Sequence, residues 1–351
     1  MQMGESVKVG IFGPQGSGKT TVFRSLCGLG PAEPGRREVV LGAVKVPDAR
    51  LDELSRIYRP KKTTPAEIVF ADLPTSPDAL LDAKSAAELR NLDVHTLVLR
   101  AFESPYLSEP PDPARDFVRV EEELVLADLA VVEKRLERLA KEKTPAAARE
   151  GELLQRCRAH LEDGRPLRTL SLSEGETALI KAYAPLSHKT LLLLINTPES
   201  APAAVPEALH AAAAAHGASP MPLCAPAEAD ILELAPAERA AFLAELGQHE
   251  TARDRYLKHA YAALGLMSFF TVGQDECRAW TVRRGTDARR AAGAIHSDIE
   301  RGFIRAEVIA YADFMEAGGS ESKARAAGRY RLEGKDYRVQ DGDIIHFRFN
   351  V

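Results

Sequence analysis

The sequence predicts an α/β fold in which a mostly parallel sheet is interrupted by a helical insertion and followed by a smaller α+β module. Three observations carry this. Short apolar runs alternate with helical patterns through the first hundred residues and again after residue 190. A long stretch from residue 116 to 143 keeps apolar residues in a 4,3,4,3 spacing. After Gly265 the texture changes to short strand-like runs around one helical pattern.

Residues 7–12 alternate and then run apolar into a glycine-rich turn, the pattern of a buried parallel strand entering a loop and a helix. Further strands are expected at 39–46, 68–71, 96–99 and 191–195. Helices are expected at 51–58 after Asp48, and at 206–216. In the insertion, Val125, Leu129, Val132, Leu136 and Leu139 align along one seam, and Thr144-Pro145 marks a turn. Leu154, Cys157 and Leu161 then offer a second seam ending at Asp163-Gly164. The simplest arrangement is an antiparallel two-helix hairpin. A pair of ordinary core helices and a protruding coiled coil both fit the pattern, and the charged run Glu133, Lys134, Arg135, Glu137, Arg138 favours protrusion. In the last module strands are expected at 268–272, 278–282, 307–309, 337–339 and 344–349, with a helix at 287–295. Residues 318–328 read as a loop or short polar helix.

Composition bounds the function. The 351 residues are long enough for two or three domains, and 46 Lys+Arg against 51 Asp+Glu leave a net charge of −5. No global basic charge draws the chain to nucleic acid, so no DNA partner is expected and any RNA contact must come from a local patch. Cys27, Cys157, Cys224 and Cys277 are widely spaced, which suits reduced thiols in a cytoplasmic protein. No signal peptide or membrane span is legible.

The chemistry concentrates in Gly13-Pro14-Gln15-Gly16-Ser17-Gly18-Lys19-Thr20, which fits GxxxxGK[ST] between an apolar strand and a helix that begins near Thr21. Glycines let backbone N–H groups wrap phosphates where Cβ atoms would obstruct. Lys19 reaches the β- and γ-phosphates, and the Thr20 hydroxyl completes the coordination of a Mg²⁺ held by phosphate oxygens and water. The second acidic element is Ile68-Val69-Phe70-Ala71-Asp72, whose Asp72 reads either as a Mg²⁺ partner through water or as a turn former. Asp72-Leu73-Pro74-Thr75 lacks the glycine of a GTPase DxxG. After the strand at 191–195, Asn196-Thr197-Pro198-Glu199 stands where a guanine-reading NKxD would be, and Thr197 and Glu199 break that arrangement.

On these residues the chain resembles the YchF or Obg-like ATPases, nearly end to end. The resemblance rests on Val46-Pro47-Asp48-Ala49-Arg50-Leu51, on Arg59-Pro60-Lys61-Lys62, on residues 121–139, and on Asn196 to Glu199. It is strongest in Arg278-Ala279-Trp280-Thr281, in Gly302-Phe303-Ile304-Arg305-Ala306-Glu307, and from Val339-Gln340-Asp341-Gly342-Asp343 to Phe349. It implies a P-loop NTPase G domain over 1–115 and 186–265, an α-helical coiled-coil hairpin over 116–185, and a C-terminal β-grasp TGS domain over 266–351. It also implies ATP preferred over GTP, Mg²⁺ as cofactor, and association with the ribosome or RNA through the hairpin and TGS domain. The nucleotide-binding residues would be Gly13 to Thr21 with Asn196 and Glu199, the metal partners Thr20 and Asp72, and the catalytic cation Lys19.

The departures are as informative. The family's P-loop reads like GxPNVGKS, whereas Gln15-Gly16-Ser17 hold its centre here. The threonine-bearing segment between Cys27 and Val39 is shortened, and Pro74-Thr75-Ser76-Pro77-Asp78 replaces a glycine-rich switch. Losing those segments removes groups that align water and neutralise the transferred phosphoryl while leaving the phosphate cradle. Slow or impaired hydrolysis, a competent ATPase or GTPase with unconventional switches, and a scaffold with a vestigial site are the readings this leaves. Cys224-Ala225 take the place of the last nucleotide-loop motif, with Pro226 where a lysine is usual. Arg278, Arg283, Arg284, Arg289 and Arg290 surround Trp280 and read either as an RNA-phosphate contact or as a solvated charged face.

Overall fold

The structure is a computed structural model that describes residues 8–30, 38–74, 81–201 and 205–350. The chain divides into two compact units, one built on Val7–Gly42 and Val69–Tyr256, the other on Ala43–Ile68 and Leu257–Val351.

The larger unit carries a six-stranded sheet. Strand β1 (Lys8–Phe12) pairs in parallel with β4 (Glu67–Asp72) on one side and β5 (Val94–Arg100) on the other. Strands β6 (Leu191–Asn196) and β7 (Pro220–Leu223) extend it in parallel beyond β5, and β2 (Val40–Lys45) lies outside β4. All seven residues of β5 and all six of β6 are buried, as strands covered on both faces must be. Each expected strand of this unit has its counterpart. Strand β7 was not legible, because Pro220 and Pro222 lower any strand reading; it sits at the sheet edge, where a missing N–H leaves no ladder bond unmade.

The hairpin forms as expected and starts earlier than the apolar pattern suggests. Its first helix runs Pro113–Leu139, with Asp112 accepting from Arg115 N and proline in the first turn. The second, Pro145–Glu162, is capped by Thr144, whose hydroxyl accepts from Ala147 N at 3.1 Å. Val125, Val132 and Leu139 pack against Leu154, Cys157 and Leu161 with Leu129 and Leu136 at the margin, so both seams meet. Nearer the helix start, Phe117, Val120 and Leu124 belong instead to the core that holds Leu97, Leu99, Leu193 and Ile195. One helix thus links the hairpin core to the sheet core. At the junction the buried Asp128 carboxylate accepts from Leu186 N, Ser187 N and the Ser187 hydroxyl, at 2.7–2.8 Å.

The smaller unit carries a second six-stranded sheet in the order β11-β10-β12-β8-β9-β3. These are β3 (Lys62–Thr64), β8 (Leu266–Thr271), β9 (Glu276–Arg283), β10 (Phe303–Ala310), β11 (Arg331–Glu333) and β12 (Asp343–Phe349). Pairing is antiparallel except for β12 with β8 and β3 with β9. The helix Ala288–Ile295 buries Ala288, Ala291 and Ala292 against Met267, Phe269, Val308 and Phe347. Residues 318–328 contain a short helix, Glu321–Ala326. The strand expected at 337–339 is corrected: only an isolated bridge joins Arg338 to Asp287. Tyr337 O accepts from Ala288 N and Val339 N donates to Thr286 O, so the backbone of this segment is committed to the turn before the helix.

Candidate nucleotide-binding site

Strands β1, β4 and β6 run parallel, so their C-terminal ends open on one end of the sheet. This is the end where parallel α/β sheets bind ligands. Residues 13–20 leave β1 there and enter the helix Lys19–Cys27. Gly16 and Gly18 adopt left-handed φ of 75° and 79°, which a side chain would strain. Space demands glycine as well. A Cβ on Gly13 would meet the Val98 carbonyl oxygen at 2.3 Å, and one on Gly18 would meet Asn196 Nδ2 at 2.2 Å.

The helix begins with Gly18 as its N-cap, with no side-chain cap and no acidic residue in its first turn. Its first N–H groups and its positive dipole end are therefore available to an anion. Lys19 lies half-buried beside them. Burial lowers its pKa from the ordinary lysine value, and the nearby Asp72 carboxylate works in the opposite direction. Asp72 ends β4 opposite Ile11 and is buried. The two charges that a nucleotide and its metal need thus converge from adjacent strands. Thr20 is half-buried in the first turn and Thr21 is exposed.

A Mg²⁺ fits this donor set. Among the described residues no cluster of three or more His, Cys, Asp or Glu could cage a metal. A hydroxyl from Thr20 and one carboxylate from Asp72 suit an ion that keeps waters and takes its remaining ligands from phosphate.

At the base end Asn196 is buried at the tip of β6. Its Nδ2 donates to Ser17 O at 3.2 Å and its Oδ1 accepts from Ala225 N at 3.3 Å. Asn196 therefore braces the phosphate loop against the segment after β7. Thr197 is buried and its N–H donates to Leu223 O at 3.2 Å. Glu199 is exposed and reaches none of these groups directly. It lies near enough to Cys224 for its charge to add to the burial that raises that thiol's pKa. The brace to Ala225 was not legible, since nothing in the local sequence links positions 196 and 225.

The segments 31–37 and 75–80, which hold most of the shortened switches, lie outside the described residues. All four cysteines are free. In the smaller unit Arg278 lies over the Trp280 ring, 3.9 Å from its centroid, while Arg283, Arg284, Arg289 and Arg290 are exposed. No helix among the described residues is long and apolar enough to cross a membrane.

Comparison with known proteins places the chain in a family. The chain is 38% identical to the "Ribosome-binding ATPase YchF" of Bacillus subtilis over 99% of its own length and 100% of that protein. The chain belongs to the YchF family. It is also 35% identical to "Obg-like ATPase 1" of Oryza sativa subsp. japonica, over 98% of this chain and 92% of that one. The family model YchF-GTPase_C, described as "Protein of unknown function (DUF933)", matches residues 266–350. The solved "Structure of the Schizosaccharomyces pombe YchF GTPase" superposes with a TM-score of 0.85 at 28% identity, covering 98% of each chain. As a YchF-family member, the chain has the α/β fold with a helical insertion and a separate C-terminal module.

Proposed function

We propose that this chain binds ATP with Mg²⁺ at residues 13–20, hydrolyses it slowly, and works in the cytoplasm as a ribosome-associated factor. In this reading residues 1–115 and 186–265 form the nucleotide-binding part, 116–185 the hairpin and 266–351 the TGS domain. The observation that carries it is the uncapped helix N-terminus at Gly18, with Lys19 and Asp72 converging on it. Backbone N–H groups and Lys19 hold the β- and γ-phosphates, and Thr20 and Asp72 hold the metal, Asp72 through water. Lys19 is the one catalytic side chain assigned.

Preference for ATP is supported by the residues at 196–199. Guanine reading uses a lysine over the ring and an aspartate that accepts from N1–H and the exocyclic amine; here Thr197 stands in the lysine's place and Glu199, one methylene longer, in the aspartate's. Slow turnover is supported by Gln15-Gly16-Ser17 and the shortened segments on either side. Ribosome association is supported by the name of the Bacillus subtilis relative, a ribosome-binding ATPase. RNA phosphate contacts then fall to the hairpin and to the exposed arginines around Trp280.

The test is co-sedimentation with ribosomes, with ATP, ADP or no nucleotide, in parallel with phosphate release. Nucleotide-dependent pelleting with slow, Lys19-dependent phosphate release is expected. Pelleting indifferent to nucleotide would make the protein a scaffold, and turnover at ordinary enzyme rates would remove the claim of slow hydrolysis.

A further inference from the structure

Strand β5 ends at Arg100, and residues 101–109 then pass along the phosphate loop. Three attachments fix this segment. At its start Ala101 N donates to Asn196 O at 2.9 Å, which ties it to the tip of β6. Arg100 is buried, and its guanidinium donates to Glu109 O at 2.8 Å and to Phe102 O at 3.4 Å, so one side chain holds both ends of the segment. At the far end the Glu109 carboxylate pairs with Arg115 at 3.1 Å, in the first turn of the helix Pro113–Leu139.

Between these attachments Ser104-Pro105-Tyr106-Leu107 makes a turn, with Leu107 N donating to Ser104 O at 3.2 Å; serine and proline suit its first two positions. Tyr106 is left 92% exposed, whereas Leu107 is half-buried. The turn delivers that leucine to the phosphate loop. A Cβ on Gly16 would meet Leu107 Cδ1 at 2.5 Å, so the methyl occupies the place that a side chain there would take, against a residue with φ of 75°. A glycine-rich loop samples many backbone states, and binding a ligand must remove them. Packing on Gly16 removes part of that freedom beforehand.

We propose that residues 101–109 are a strap that holds the phosphate loop in its anion-binding shape, with Leu107 as its contact on Gly16 and Arg100 as the positioning residue that secures it. The inference rests on the nucleotide reading above and adds two residues outside the phosphate loop to it. The strap complements Asn196, which holds the same loop through Ser17 O. Because it acts on the backbone of the loop, it serves every nucleotide alike and takes no part in choosing the base.

The experiment is titration calorimetry of the full chain with Mg-ADP, Mg-ATP and Mg-GTP, beside amide hydrogen exchange of the nucleotide-free proteins. The proteins are wild type, Leu107→Ala, Leu107→Met, Arg100→Lys, and the double variant Arg100→Lys with Leu107→Ala. Leu107→Ala is expected to weaken all three nucleotides by about fivefold with their ratios unchanged, and to speed exchange at residues 13–20 alone. Leu107→Met, close to leucine in volume, should bind like wild type. Arg100→Lys keeps the charge but loses the fork, and should weaken the nucleotides by about threefold alone and add nothing in the double variant. Wild-type affinities in Leu107→Ala, or a methionine variant as weak as the alanine one, overturn the proposal. A changed ratio of ATP to GTP would put Leu107 at the base, and faster exchange throughout the sheet would make it ordinary core packing; either result overturns the strap. Additive effects of the two substitutions would overturn the role of Arg100. A wild type that binds none of the three nucleotides contradicts the nucleotide reading first, and the strap with it.

Discussion

The two ends of the candidate nucleotide site are built by opposite means. At the phosphate end, eight consecutive residues supply glycine turns, an uncapped helix N-terminus and a lysine, and the site is a property of the backbone. At the base end, Asn196 at the tip of β6 reaches Ser17 on one side and Ala225 on the other, and the groups come from three distant segments. The difference teaches that a cradle made of backbone asks the sequence for little more than glycines and one lysine, whereas the base end asks for side chains held by long-range packing.

The comparison is broken most severely at Gly18. Replacing it with alanine forces a Cβ into left-handed backbone and to within 2.2 Å of Asn196 Nδ2. The expected cost is about 3 kcal/mol in denaturant unfolding, with nucleotide binding abolished at both ends. Lys19→Ala comes next. It should weaken ATP and GTP alike by about a hundredfold in calorimetry. Because burial already disfavours this charge, unfolding of the nucleotide-free variant should show no loss of stability.

Asn196→Ala tests the brace. It leaves the Ser17 carbonyl and the Ala225 N–H without their partner, so about 2 kcal/mol should be lost in urea unfolding, with both nucleotides weakened.

A pH series asks whether the two ends share one foundation. His95 is buried in β5, and its Nε2–H donates to Leu89 O at 3.0 Å in the neutral tautomer. Burial first, then the charges of Lys189, Arg168 and Arg90, push its pKa down to about 3 from 6.5, against the Leu89 bond. The folded state therefore refuses a proton that the unfolded chain accepts. Stability is full above pH 6.5 and falls by about 1.4 kcal/mol per unit as pH drops from there toward 3. His95→Gln should lack that part of the slope when the two proteins are unfolded side by side.

The smallest effect belongs to Glu199→Ala. The side chain is exposed, so stability should hold within about 0.5 kcal/mol, while the ratio of ATP to GTP affinity shifts by about fivefold.

What the sequence made legible follows the same division. The phosphate loop, five of the six strands of the larger sheet and the hairpin seam each declare themselves within a few turns of chain. Val125 to Leu139 and Leu154 to Leu161 show their spacing before any partner is known. Strand β3 was illegible for the opposite reason. Lys62–Thr64 is short and polar, and becomes a strand only by pairing with Glu276, Cys277 and Arg278, more than two hundred residues later.

The most direct measurement is titration calorimetry of the full chain with Mg-ATP and Mg-GTP, with Lys19→Ala as control. The account predicts binding of both nucleotides, tighter for ATP, and weakened by the substitution for each. Affinity unchanged in Lys19→Ala, or no binding by the wild type, would contradict it.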